Sequence, residues 1–296
     1  MELGRLGVWC ATDRLTSAEL AAFAGRVEAW GYGALWQPEM LGRNVLVSAS
    51  WLLAETRTLK IATGIASIYG RDAQVALAAQ QGLAEQSGGR FLLGLGVSHA
   101  PMVEGLRGHH YGKPVAAMRA YLEAMKKGRY MAPPPLAAPP MVLAALGPKM
   151  LELSAELADG AHSYNVTPEH TAQARRTLGA AKLLCVEQKV VLETDAARAR
   201  SIGRASLSPY LGLKNYQENW RRLGFGEDDW SGSGSDRLLD AMVAWGDETA
   251  IRARLQQHWD AGADQVCIQP LSEQGFGAID EAALKVLAPA MAADRS

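Results

Sequence analysis

Phe91-Leu92-Leu93-Gly94-Leu95-Gly96-Val97-Ser98-His99 decides the fold. Phe91 to Leu95 runs without polar alternation, as a strand buried on both faces does in a parallel sheet covered by helices. An open doubly wound sheet holding a dinucleotide would follow such a strand with G-x-G-x-x-G. Gly94 and Gly96 are present, but His99 stands at the third glycine, which argues against that architecture. Outward from this strand the chain keeps one rhythm, short apolar strand then amphipathic helix. Upstream, strands are expected at Leu6–Trp9, Ala34–Trp36 and Leu59–Ile65. Downstream they fall at Met141–Ala145, Gly160–Ser163, Leu183–Leu192 and Asp264–Gln269.

The helices between them carry readable ends. Thr16-Ser17-Ala18-Glu19 is a capping box, followed by Leu20, Phe23, Val27 and Trp30 on one face. Gly88-Gly89 stops a helix over 73–86. Further helices are expected over 46–55, 115–127, 148–157, 168–181, 196–223 in two pieces, 238–245, 249–259 and 281–291. The proline-rich 132–140 reads as an extended exposed connection, and 224–235, rich in Gly, Ser and Asp, as a mobile loop or lid. Eight strands each followed by helix predict an α/β fold, a (β/α)8 TIM barrel with insertions, as one domain over 1–296.

Composition narrows the function classes. Thirty basic residues against 31 acidic ones leave a net charge of −1, so no basic bias points to nucleic acid or an anionic membrane. No apolar run approaches the ~20 residues of a membrane span. Met1-Glu2-Leu3-Gly4-Arg5 shows no signal-peptide pattern, so a cytoplasmic protein is expected. Cys10, Cys185 and Cys267 are far apart and form no C-x-x-C pair. They read as buried free thiols, with no metal site expected.

In such a barrel the chemistry lies at the C-terminal ends of the strands. That rule selects Trp9 and Cys10; Gln37, Pro38 and Glu39; Ser67, Ile68 and Tyr69; Ser98 and His99; Leu146 and Gly147; Ser163 and Tyr164; and Gln269. The set is aromatic, amide and hydroxyl, suited to a flat conjugated ligand. Leu146-Gly147-Pro148-Lys149-Met150 opens a helix whose free amides can seat an anion, although Gly-Pro also starts a helix cleanly. Glu39 is the candidate proton-transfer group, or else the partner of Arg43 in a loop ion pair. Ser98-His99 suggests a nucleophile and base, but Pro101 fits poorly in a nucleophile elbow; His99 reads as a ligand contact or a solvated loop residue. His109-His110 lacks a third ligand and reads as solvated.

These residues carry a resemblance over nearly the whole chain. The blocks are Gly33-Ala34-Leu35-Trp36-Gln37-Pro38-Glu39 with Gly42-Arg43, then Thr63 through Asp72, then Gly89-Arg90-Phe91 through His99, then Leu146 through Met150 with Ala158-Asp159-Gly160-Ala161. In order and spacing the chain resembles the luciferase-like monooxygenase superfamily, most of all its coenzyme F420-dependent oxidoreductases. The resemblance implies a luciferase-like barrel binding the deazaflavin, or FMN, at the strand C-termini. It implies a non-proline cis peptide at Ser67-Ile68 against the ring, the cofactor phosphate on Gly147, Pro148, Lys149 and Met150 beside Leu146, and Ser98 and His99 on the tail side. Ala66, Tyr69 and Gly96 complete the implied cofactor contacts. Where several deazaflavin members carry Asp-His after the second strand, this chain has Pro38-Glu39. The function implied is hydride transfer between the deazaflavin and a small organic substrate in a cytoplasmic homodimer. An FMN-dependent monooxygenase or a non-catalytic flavin-binding protein are the alternatives.

Overall fold

The structure, a computed structural model, describes residues 1–275 and 277–289. The chain alternates strand and helix. It begins β1 (Leu6–Trp9), α1 (Ser17–Ala29), β2 (Ala34–Gln37), α2 (Val45–Glu55), β3 (Lys60–Thr63), β4 (Ala66–Ser67), α3 (Ala73–Gln86), β5 (Phe91–Gly96), α4 (Pro114–Lys127) and β6 (Met141–Ala144). It continues with α5 (Pro148–Leu157), β7 (Gly160–Ser163), α6 (Pro168–Leu178), β8 (Leu183–Leu192), α7 (Ala196–Leu211), α8 (Lys214–Arg222), α9 (Glu227–Trp230) and α10 (Asp236–Met242). It ends with β9 (Val243–Gly246), α11 (Glu248–Asp260), β10 (Gln265–Pro270) and α12 (Glu281–Val286).

The ring runs β1, β2, β3, β5, β6, β7, β8, β10 and back to β1, every pairing parallel. This is the closed eight-stranded barrel the alternation predicts. Its strands are buried because helices cover the outer face and side chains fill the inside. Val8, Leu35, Ile61, Leu93 and Leu143 meet the helix layer, while Trp36, Ala62, Leu92, Cys185 and Cys267 pack within the ring. Trp36 is a plug: its indole N–H donates to Gln265 Oε1 (2.7 Å) and its ring stacks on His162 at 4.5 Å. The capping box at Thr16 and Glu19 is present, and Gly147 caps α5 ahead of Pro148. All three cysteines are free and buried.

Three expectations are corrected. The third strand stops at Thr63, and the non-proline cis peptide lies at Gly64–Ile65 rather than Ser67–Ile68. Thr63 Oγ1 donates to Gly94 O (2.7 Å) and accepts the Gly94 N–H (2.8 Å), which ends the regular ladder one residue before the break. The chain then pairs again briefly as β4, and Ser67–Ile68 opens a 3₁₀ turn with the Ser67 hydroxyl capping the Tyr69 N–H. Residues 238–245 are not one helix, because at Val243 the chain extends and pairs with β8 as β9. Residues 224–235 are packed rather than loose. Phe225 and Trp230 are buried, and Asp229 binds the Gly226 N–H, the Ser235 hydroxyl and Arg237. The closing helix ends at Val286, and its expected end at Met291 lies outside the described residues. Among the described residues no helix is long and apolar enough to cross a membrane.

Candidate functional site

The C-terminal rim gathers the expected residues around an aromatic and charged centre. Trp9, at the end of β1, donates its indole N–H to Gly64 O (2.9 Å), tying β1 to the break after β3. Gly64 leaves room for the indole, since a Cβ there would lie 2.8 Å from Trp9 Nε1 and force it to shift. Ile65 then packs on Gly96, where a Cβ would meet Ile65 Cδ1 at 2.4 Å. Gly96 thus accommodates Ile65, a rim residue that sequence reading passed over because it was assigned to the strand.

Glu39 does not pair with Arg43. Its carboxylate binds Arg71 and accepts the Ser67 N–H at 2.7 Å, and both charged side chains are nearly buried. Arg71 also donates to Ser67 O at 3.3 Å. Arg43 instead donates to Leu15 O and Ser17 Oγ. The Glu39–Arg71 pair therefore clamps the segment that carries Ala66, Ser67, Ile68 and Tyr69. Tyr69 accepts the Gly112 N–H (3.2 Å) and lies beside Tyr111, whose hydroxyl donates to Ser98 O. Ser98 sits at φ 56°, a left-handed conformation uncommon outside glycine. His99 follows, partly buried, its ring 5.8 Å from Tyr216. Burial holds its imidazole below the ordinary range, against a smaller opposing push from Asn215. His109 and His110 are exposed.

Sequence reading missed a charged pair at the centre. Glu187 and Lys189, two apart on β8, both point into the ring and are essentially fully buried, with Nζ 3.2 Å from Glu187 Oε1. Asn165 N–H also donates to Glu187 Oε2 (3.2 Å). Burial drives both groups toward neutrality, Glu187 upward and Lys189 downward, and their attraction opposes it. Lys189 Nζ stands 3.9 Å from the centre of the Tyr164 ring, a cation–π geometry. The Tyr164 hydroxyl lies 3.0 Å from that of Tyr210 and donates to Gln269 Oε1 at 2.9 Å. Burial raises both phenols, Tyr210 up to about 12, so both are hydrogen-bond donors at neutral pH. The signal was two charges at i and i+2 inside an apolar strand, which must share one face.

The fourth part is the amino terminus of α5. Gly147 offers no side-chain cap to its free amides. A Cβ on Gly147 would stand 3.4 Å from Arg222 Nη2, so this guanidinium of α8 faces the helix start across space left by the glycine. Arg222 donates to Asn219 Oδ1 (3.3 Å) and, among the described residues, makes no carboxylate ion pair within 4 Å. Lys149 is exposed nearby, and Met150 is buried beneath. Leu146 O bonds His170 Nε2 at 2.8 Å. Asn219 Nδ2 and the side-chain amide of Asn165 are buried without partners among the described residues, and Trp220 links the two elements by donating to Asn165 O. A cation beside the positive end of a helix is repulsive unless an anion joins them. The donors present therefore fit a phosphate-bearing cofactor.

Comparison with known proteins bears on the family and the fold. The family model for luciferase-like monooxygenases matches residues 3–265. A Mycobacterium tuberculosis protein named as a putative coenzyme F420-dependent oxidoreductase is 26% identical, covering 88% of this chain and 92% of its own. An F420-dependent secondary alcohol dehydrogenase, solved with an F420–acetone adduct, superposes with TM-score 0.75 at 13% identity over 97% of both chains. The oxygenating constituent of 3,6-diketocamphane monooxygenase from Pseudomonas putida, solved with FMN, gives 0.66 at 12% over 98% of both. At such identities the two structures show the shared fold alone.

Proposed function

Because the chain belongs to the luciferase-like monooxygenase family, we propose that it is a cytoplasmic oxidoreductase that binds coenzyme F420 at the barrel rim and exchanges a hydride with a small organic substrate. The observation that carries this reading is the uncapped start of α5 facing Arg222 across Gly147. When bound, the deazaflavin would supply the carbon that takes or gives the hydride, the protein supplying orientation and electrostatics. Gly147 to Met150 and Arg222 hold the phosphate. Ser98 and His99 would line the tail side, and Ile65, which packs on Gly96, would face the ring.

In place of the sequence-based role, Glu39 acts as a positioning residue, accepting the Ser67 N–H directly and holding Arg71, which donates to Ser67 O. The proton that accompanies the hydride is held at the Tyr210 and Tyr164 hydroxyls; Gln269 orients Tyr164, Tyr164 bonds Tyr210, and Lys189 underlies the Tyr164 ring. Tyr216 and Trp220, on the buried face of α8, exclude water from this centre. A second copy of the chain covers the apolar face of α2 and α3, where Val47, Trp51 and Val75 are 68%, 42% and 51% exposed, making a homodimer.

Titration of the full chain with F420 and with FMN, followed by absorbance and fluorescence, tests the assignment. Tighter binding of F420, without oxygen uptake on reduction, is expected. Tighter FMN binding with oxygen consumption would replace this reading by a flavin monooxygenase, and binding of either without turnover of any carbonyl, enone or alcohol would leave a carrier.

A further inference from the structure

The tyrosine pair at the rim has a direction. A phenol has one proton to donate, and Tyr164 gives its own to Gln269 Oε1 at 2.9 Å. The 3.0 Å contact between the two phenols then runs from Tyr210 to Tyr164. Tyr164 therefore stands in the middle of the chain of bonds and Tyr210 at its head. Both side chains are partly exposed.

The charge beneath them is also uneven. Lys189 Nζ stands 3.9 Å from the centre of the Tyr164 ring and 5.5 Å from that of Tyr210. The register of β8 on β10 puts Lys189 level with Gln269 and Glu187 level with Cys267. The ammonium thus lies in the same layer as the tyrosine's partner, and the carboxylate one layer deeper. The other titratable groups facing Tyr164 are Tyr210 on α7 and Tyr216 on α8. His162, two residues back on β7, is kept neutral by burial. Lys189 is the cation of this set. A phenol that loses its proton spreads negative charge over its oxygen and ring. A cation against the ring face stabilises that charge, strongly so where water is excluded. A phenolate at Tyr164 also keeps the hydrogen bond from Tyr210, whereas one at Tyr210 faces a Tyr164 proton already turned to Gln269.

From these observations we infer that Lys189 is a positioning residue that makes Tyr164, and not Tyr210, the proton donor of the reaction. It acts through the Tyr164 ring. The Tyr164 O–H bond breaks, its electron pair stays on the phenolate, and the proton goes to the substrate atom that has taken the hydride. Tyr210 then passes its own proton along the existing bond and is refilled from water. Glu187 holds the ammonium in place and, as a nearby anion, opposes the phenolate. This ordering rests on the oxidoreductase reading, because it names the donor for that reaction.

The test needs no turnover. Tyr164 is replaced by 3,5-difluorotyrosine, whose phenol ionises near neutral pH in water, and its ionisation is followed by fluorine NMR on the full chain. Lys189→Met should make this phenol a weaker acid by about tenfold or more. Glu187→Gln, which leaves the ammonium alone under the ring, should make it stronger. A merely structural disturbance would move both variants the same way. The double variant Glu187→Gln with Lys189→Met strands no charge and guards against misfolding of the single ones. It should remain a weaker acid than the parent, because the lost cation is the nearer charge. With the fluorinated residue at Tyr210 instead, each shift should be smaller. Shifts of the same sign in the two single variants, a double variant equal to the parent, or a larger response at Tyr210 would overturn the assignment. Titration of the parent with F420 and FMN keeps the two readings apart. The expected shifts in a chain that binds neither cofactor would leave the ordering of the tyrosines standing and remove the oxidoreductase reading. Cofactor binding without the shifts would do the reverse.

Discussion

Replacing Lys189 by methionine should destabilise the fold more than any surface substitution. The ammonium is fully buried, 3.2 Å from a carboxylate that is itself 1% exposed. Methionine keeps the volume but leaves Glu187 inside the ring with the Asn165 N–H as its remaining donor. Breaking a buried pair in this way costs about 3–5 kcal/mol. For a domain of this size each kcal/mol shifts the melting point by roughly 2–4 °C, so Tm should fall by about 6–20 °C. Urea melts at pH 7.5 measure the loss directly. Removing both charges, Glu187→Gln with Lys189→Met, should recover most of it, because no unpaired charge remains. The stranded carboxyl supplies a second signature. Burial already raises Glu187, and without the cation it rises further. A carboxyl raised in the folded state binds more protons folded than unfolded, so the deficit of the single variant should narrow as pH falls from 7 toward 5. A single variant within about 1 kcal/mol of the parent, or a double variant no better than the single, would refute the picture of an interior held by this pair.

Acid should weaken the parent protein. Burial pushes His162 down to about 4 and His258 down to about 3, so both are neutral when folded and bind protons more readily when unfolded. Their contribution, on the order of several kcal/mol for the two together, is full above about pH 6.5 and is lost as pH drops toward 4; melts that are flat from pH 7 to 4.5 would contradict this. Arg222→Ala should weaken cofactor binding about tenfold and flatten its salt dependence, and Gly147→Val should weaken it through bulk, both read by fluorescence titration. Glu39→Gln should lower cofactor affinity while leaving the shape of the pH profile of kcat intact. Loss of a pH limb would make Glu39 the proton-transfer group.

The barrel was legible because its signal is local. A strand buried on both faces reads as an apolar run, and each helix announces its start, as Thr16 and Pro148 do. Contacts that close over distance left no such mark. Glu39 found Arg71 rather than the nearer Arg43 because the segment after β3 folds back over the end of β2, which spacing along the chain does not show. Arg222 reaches Gly147 from α8, and nothing in either segment names the other. β9 was hidden because Val243 continues a helical apolar pattern, and only pairing with β8 selects the extended form. The cis peptide was displaced to Gly64–Ile65 because the ladder ends where Thr63 meets Gly94, a pairing invisible before β3 and β5 are aligned. The Glu187–Lys189 pair was the one missed feature with a local sign.

β8 runs ten residues where its ring neighbours run four to six. Along one edge its first half bonds β7 and its last half bonds β9. Circumference and superstructure are thereby divided along a single strand. The intervening 193–242, which supplies Tyr210 and Arg222, leaves from the upper part of β8 and returns to it as β9. Evolution, or a designer, can rewrite that canopy to admit a different guest while the masonry below keeps its register.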